Sequence, residues 1–201
     1  HLPVVIETTV GTATKSFQLN GNGSHIKFFD ALINNSMHLT IANPQNRANT
    51  QFLFDGKITS KKWMNINSNV KATFGENSDF TEHNSALRLI GNGNAQLTVQ
   101  TPKNKFKTAG TKIIVNGGGT LIIDSEDVLG ATIQVDTDKI LNLTVNKNQA
   151  NAGKITMASG KINLTVDAAV TKLNFSDNSE SDWGTGEIVV TGFKDKVLSF
   201  G

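Results

Sequence analysis

Apolar residues in this chain fall into short alternating runs and not into helical stripes. Residues 39–41, 52–54, 70–74, 87–89, 97–99, 113–115 and 121–123 read this way. So do 133–135, 141–145, 155–157, 162–166, 173–175, 188–190 and 197–200. Each run is bounded by Gly, Asn, Asp or Ser, the residues that open turns. No segment carries an apolar stripe across three helical turns, and the best helical candidate is the short piece 29–34. The pattern predicts an all-β protein built from many short strands.

The spacing of the runs says how the strands are arranged. Leu97, Leu121, Leu141 and Ile162 follow one another at steps of 24, 20 and 21 residues. Leu87, Ile113, Ile133 and Ile155 follow at 26, 20 and 22. Two interleaved series of one period mean a repeated unit holding more than one strand, which is the signature of a solenoid. The expected fold is a single-stranded parallel β-helix (β-solenoid) with coils of about 20–24 residues. Leu141, Leu143 and Val145 then point into the bore, with Asn142 and Thr144 outside; Ile162, Leu164 and Val166 point in, with Asn163 and Thr165 outside. Asn92-Gly93, Asn116 to Gly119, Gly153 and Ser159-Gly160 mark the corners. The alternative is an antiparallel β-sandwich, whose strands recur every 8–12 residues, roughly the distance from Ile113 to Leu121.

The 201 residues read as one solenoid domain. Residues 1–85 form irregular coils, interrupted at Lys61-Lys62-Trp63 and by a polar loop over 76–85. Residues 86–172 form regular coils, and 173–201 a C-terminal capping repeat. No Pro/Ser-rich linker divides them.

Composition narrows the chemistry. Charged residues are 18% of the chain, against about 25% in an average soluble domain. The polar surface falls instead to 23 Asn, 22 Thr and 18 Gly. Cysteine is absent, which removes disulfides, zinc ribbons and thiol nucleophiles. The net charge of +2 rests on 17 Lys and only two Arg, Arg47 and Arg88. Sequence-specific nucleic-acid sites lean on the arginine fork, so no nucleic-acid partner is expected. No apolar run reaches the roughly 20 residues of a membrane helix, so no membrane insertion is expected either. The start at His1-Leu2-Pro3 reads as a processed or excised part of a longer chain.

The C-terminal stretch is distinctive. It runs Leu173-Asn174-Phe175-Ser176-Asp177, then Trp183-Gly184-Thr185-Gly186-Glu187-Ile188-Val189-Val190, then Gly192-Phe193 and Val197-Leu198-Ser199-Phe200-Gly201. This resembles the closing repeat of β-solenoid passenger regions in autotransporter-type and other large secreted bacterial surface proteins. The resemblance covers about 30 residues by motif and the preceding ~85 by repeat style. It implies a bacterial, extracellular or cell-surface location.

Candidate chemistry is thin. The four histidines, His1, His25, His38 and His83, are far apart in sequence and none forms a metal-spaced pair. Asp124, Glu126 and Asp127, with Asp136 and Asp138, are the acids that a saccharide or calcium site would use. Asp136-Thr137-Asp138 lacks the Gly of a calcium loop, and polar corners are the favoured account of these residues. Lys103, Lys105 and Lys107 lie on one face of an extended segment with Phe106 on the other. They read either as a basic stripe for acidic glycans or nucleic acid or, the favoured reading, as an edge whose lysines discourage unwanted pairing. Trp183, Phe193 and Phe200 are the expected hydrophobic cap over the end of the bore.

These readings lead to a non-catalytic structural or adhesive module, with no catalytic residues, metal or cofactor expected. Glycans or other cell-surface molecules are the expected partners, and self-association through terminal strands is the expected assembly mode. A carbohydrate-binding or polysaccharide-cleaving β-helix is the alternative.

Overall fold

A computed structural model describes the chain apart from residues 1–3, 7–14, 19–24, 29–30, 34–38, 43–49, 61–62, 84, 107–110, 193–194 and 196. For 4–6, 15–18, 25–28, 31–33, 39 and 59–60 it describes the backbone alone. The described residues are all-β, with no helix, and every strand pair among them is parallel. The protein is a β-solenoid and neither a sandwich nor a barrel.

Its coils stack along three faces. One face is a seven-stranded sheet that runs from Lys15–Gln18 at one end to Ile155–Met157 at the other. The second is an eight-stranded sheet from His25–Phe28 to Glu187–Thr191. The third is discontinuous. Val4–Ile6, Ala31–Ile33 and Ile58–Ser60 form a three-stranded sheet at one end, and Gln149–Ala152, Leu173–Phe175 and Leu198–Phe200 another at the far end. Between them, among the described residues, single bridges of Lys57 with Asp79 and Phe80 with Phe106 continue the face.

The bore is filled by register-matched columns. Leu97, Leu121, Leu143 and Leu164 stack coil upon coil, beside Val99, Ile123, Val145 and Val166. All are buried. Ile140–Val145 and Lys161–Val166 alternate in burial as their patterns predict, with Asn142, Thr144, Asn163 and Thr165 outside. Toward the N-terminal side the filling becomes aromatic. Phe74 lies 4.0 Å from Phe80 and 5.9 Å from Phe54, centroid to centroid.

Four expectations change. Residues 31–33 are a strand and not part of a short helix, because six residues cannot offset the cost of nucleating a helix while two neighbouring strands offer ladders. Leu121 pairs with Leu143, whereas Leu141 pairs with Gly119. A slip of two residues keeps every side chain on its face, so periodicity alone does not resolve it. The stack is continuous just after Trp63, since Leu39–Ala42, Met64–Ile66 and Leu87–Leu89 are adjacent strands of one sheet, while Lys61 and Lys62 lie outside the described residues. The 76–85 segment is not simply polar surface. Ser78, Phe80 and His83 within it are buried, and the Ser78 hydroxyl lies 2.7 Å from that of Thr101.

Glycine fixes one corner by close approach. A Cβ on Gly117 would lie 2.1 Å from the carbonyl oxygen of Gly91 and 2.4 Å from its nitrogen. Gly91 itself has φ +96°, a conformation open mainly to glycine. The corner therefore lets two coils stack backbone on backbone.

Candidate functional site

The polar side chains singled out in the sequence converge on the joints between coils. Residues 103–105 form a turn and not an extended strand, so the lysines do not share one face. Lys103 reaches Asp127 on the following coil at 2.6 Å. Lys105 reaches back to Asp79 at 2.8 Å. Phe106 is buried, as its alternation implied, and Lys107 lies outside the described residues.

These pairs shift the carboxylates. Burial opposes ionisation of Asp79, but hydrogen bonds from Lys105 and from the Thr81 hydroxyl and amide outweigh it and bring its pKa down to about 2. The Lys103 ammonium lowers the pKa of Asp127 against the opposing effect of burial, and the Ala150 amide, 2.5 Å from Oδ1, adds to it. Asp127 bonds to the coil behind and the chain ahead at once.

Asp138 lines a recess with Gly118 and Asn142, whereas Asp136 lines a separate groove of about 850 Å³ along the seven-stranded face. Gln134, Thr156 and Lys139 line it too, and the 180–182 segment walls it. The Asp136 carboxylate is held from two sides. Asn116 Nδ2 donates to Oδ2, and Gln134 Nε2 donates to Oδ1 at 3.1 Å. Arg88 in turn donates to Asn116 Oδ1 at 2.7 Å, and its guanidinium stands 4.4 Å over the Trp63 ring. Trp63, Arg88, Asn116 and Asp136 thus form one polar seam across successive coils. Asp138 sits at a left-handed corner, φ 58°, where its Oδ1 accepts the Ser159 hydroxyl at 3.0 Å. Asp124 accepts Gln100 at 3.2 Å, and Glu126 is exposed.

The C-terminal aromatics meet only in part. Trp183 is half-buried against the core, while Phe200 is 41% exposed. Phe200 stacks on Phe175 at 5.3 Å and meets the edge of Trp183 at 6.1 Å. Phe193 lies outside the described residues. The same end carries a recess of about 590 Å³ lined by Trp183, Ile188, Val190 and Phe200.

Sequence reading missed two side chains that hold the joints. Gln149 is completely buried; its Oε1 accepts the amides of Val128 and Leu129 at 2.9 and 3.0 Å. Its Nε2 donates to the carbonyls of Ser125 and Lys147 at 2.7 and 3.1 Å. Asn178 Oδ1 accepts the Ile155 amide at 2.8 Å. A polar residue beginning the non-alternating run Gln149–Ala152 was the available signal for the first.

His83 is buried edge-on to Phe80, at 6.2 Å. Among the described residues no three His, Asp or Glu side chains converge on a point that a metal ion would occupy. No helix among them is long and apolar enough to cross a membrane. Compared with known proteins, the chain matches no family model, no curated protein and no solved structure.

Proposed function

We propose that this chain is a non-catalytic structural and adhesive module of a bacterial cell-surface or secreted protein, a stack of coils that presents its lateral faces to neighbouring surfaces. The observation that carries this reading is where the charged side chains go. Asp79, Asp127, Asp136, Asp138, Lys103 and Lys105 each bond to a residue on an adjoining coil. Groups used this way fasten the stack. A carboxylate acting as general acid or base keeps an oxygen for a substrate proton, and both oxygens of Asp136 accept side-chain amides.

The test displays the chain on a non-adhesive bacterium and scores attachment to host cells and to other bacteria. Attachment above that of the undisplayed strain is expected, together with no release of reducing ends from polysaccharides with or without calcium. Reducing-end release that disappears in Asp136→Ala would replace this reading with a polysaccharide-cleaving one.

A further inference from the structure

Within the middle strands of the eight-stranded sheet the outward side chains make no ion pair between coils; Asn163 with Asn142 links two coils there, and Gln100 with Asp124 links two at the strand ends. Thr98, Ile122, Thr144 and Thr165 stand in one register-locked column. Gln96, Thr120, Asn142 and Asn163 stand in the column beside it. Over these four coils neither column contains a charge. Lys71 precedes them, and Lys161 at the flank is paired with Glu187. With coils about 4.8 Å apart and alternate residues about 6.7 Å apart, the four coils make a regular array about 14 Å long.

The array keeps hydrogen-bonding capacity free. Asn163 donates to Asn142 at 2.9 Å, which leaves an amide donor on Asn142 and an acceptor on Asn163. Among the described residues, the hydroxyls of Thr120, Thr144 and Thr165 are not engaged by any protein group. Apolar contact lies in the same rows: threonine methyls, Ile122, and Ile140, which is 48% exposed.

We infer that this face binds a neutral, extended β-linked polysaccharide lying along the solenoid axis, a partner that rests on the adhesive reading above. Three of the four coils offer one sugar a pair of uncharged polar side chains, the Thr120–Ile122 coil offers one hydroxyl and one apolar side chain, and the methyls meet the C–H face of the ring. An extended chain of β-linked pyranoses advances per sugar by close to the coil spacing, so successive sugars meet successive coils. Charge argues the same way. From Gln96 to Asn163 and from Thr98 to Thr165 the two columns hold neither lysine nor acid, so neither a polyanion nor a polycation meets a matching charge there. Individual contacts of this kind are weak, so affinity must build with the number of sugars engaged.

The test titrates the chain with β-1,4-linked gluco-oligosaccharides of two to six sugars, and measures retention on insoluble cellulose. The hexamer is expected to bind at least about tenfold tighter than the dimer, a difference of about 1.4 kcal/mol. Thr144→Glu places a charge in the array at an outward position and is expected to abolish retention with the melting temperature kept. Thr165→Glu serves as a second variant, at an exposed site. Lys112→Glu, on the other sheet, is expected to leave retention unchanged. No binding of the hexamer, equal affinity for dimer and hexamer, or retention that survives both folded Glu variants would overturn the inference. Attachment of displayed cells that persists in those variants would sink this face as the glycan site and leave the adhesive function standing.

Discussion

The indole Nε1 of Trp183 donates to the backbone carbonyl of Ile155 at 3.3 Å. Ile155 lies in the last strand of the seven-stranded sheet, whose outer edge pairs with no further strand among the described residues. With Asn178 accepting the Ile155 amide, two side chains take the place of a backbone ladder. The Thr185 amide completes the closure by donating to the Ala158 carbonyl at 3.0 Å. An edge blunted by side chains offers less of a template for unwanted pairing.

Removing the two functions of Trp183 separately tests this closure. Trp183→Phe keeps one aromatic ring in place of the indole and loses the N–H hydrogen bond, so a cost of about 1 kcal/mol is expected. Trp183→Ala also loses the half-buried packing, and about 2–3 kcal/mol is expected, below the range for fully buried aromatics. Denaturant melts of the two variants measure the difference; parent stability in Trp183→Phe would show that the indole N–H contributes nothing, and equal costs in the two variants would show that the ring packing contributes nothing.

Gln149 is expected to be the most sensitive polar position. Gln149→Leu fills the same volume but strands two amides and two carbonyls that no strand otherwise serves. About 3 kcal/mol or more should be lost, from several buried groups left unpaired. Hydrogen exchange at the Val128 and Leu129 amides should rise with it. Unchanged protection there would refute the bracing role.

Acid should loosen the joint between Asp79 and Lys105. The folded pKa of Asp79, about 2, lies below the roughly 3.9 of an unfolded Asp. Its contribution is therefore present above about pH 4 and is lost as pH falls toward 2. Asp79 is partly solvated, so the contribution is on the order of 1 kcal/mol after screening. The downward shift of Asp127 acts in the same direction. Stability measured from pH 6 to 2 should fall less steeply in Asp79→Asn than in the parent chain.

Gly117→Ala should damage the corner stack. The new Cβ meets the Gly91 backbone, which cannot rotate away as a side chain would. A loss of a few kcal/mol is expected, the scale of overpacking and strain. Gly93→Ala is a graded comparison, since its nearest contact is an ordinary 3.7 Å and its cost comes from φ +92° alone. Equal melting temperatures for the Gly117→Ala variant and the parent would rule out backbone contact at this corner.

The alternation of residues such as Leu141, Leu143 and Val145 was enough to specify strands, their inward faces and a coil of the right length. Those properties are local: side chains alternate along any strand, and a stack repeats at the length of its coil. Register was not local. Leu121 against Leu143 or against Leu141 puts the same faces inside, and only the summed packing of the whole coil, with Gly119 opposite Leu141, selects one. The polar joints were hidden for a related reason. The partners of Gln149, Asn178 and Asp136 lie about one coil away, or are backbone atoms with no signature of their own. The lysines at 103 and 105 read as one stripe because residues two apart share a face in an extended chain. In the folded protein they sit in a turn between coils, and each is drawn to the acid on its own side. The sequence alone thus determined that the chain would stack, and with what inside. Tertiary contact between coils decided which exterior groups were consumed in holding the stack and which, on the eight-stranded face, were left free.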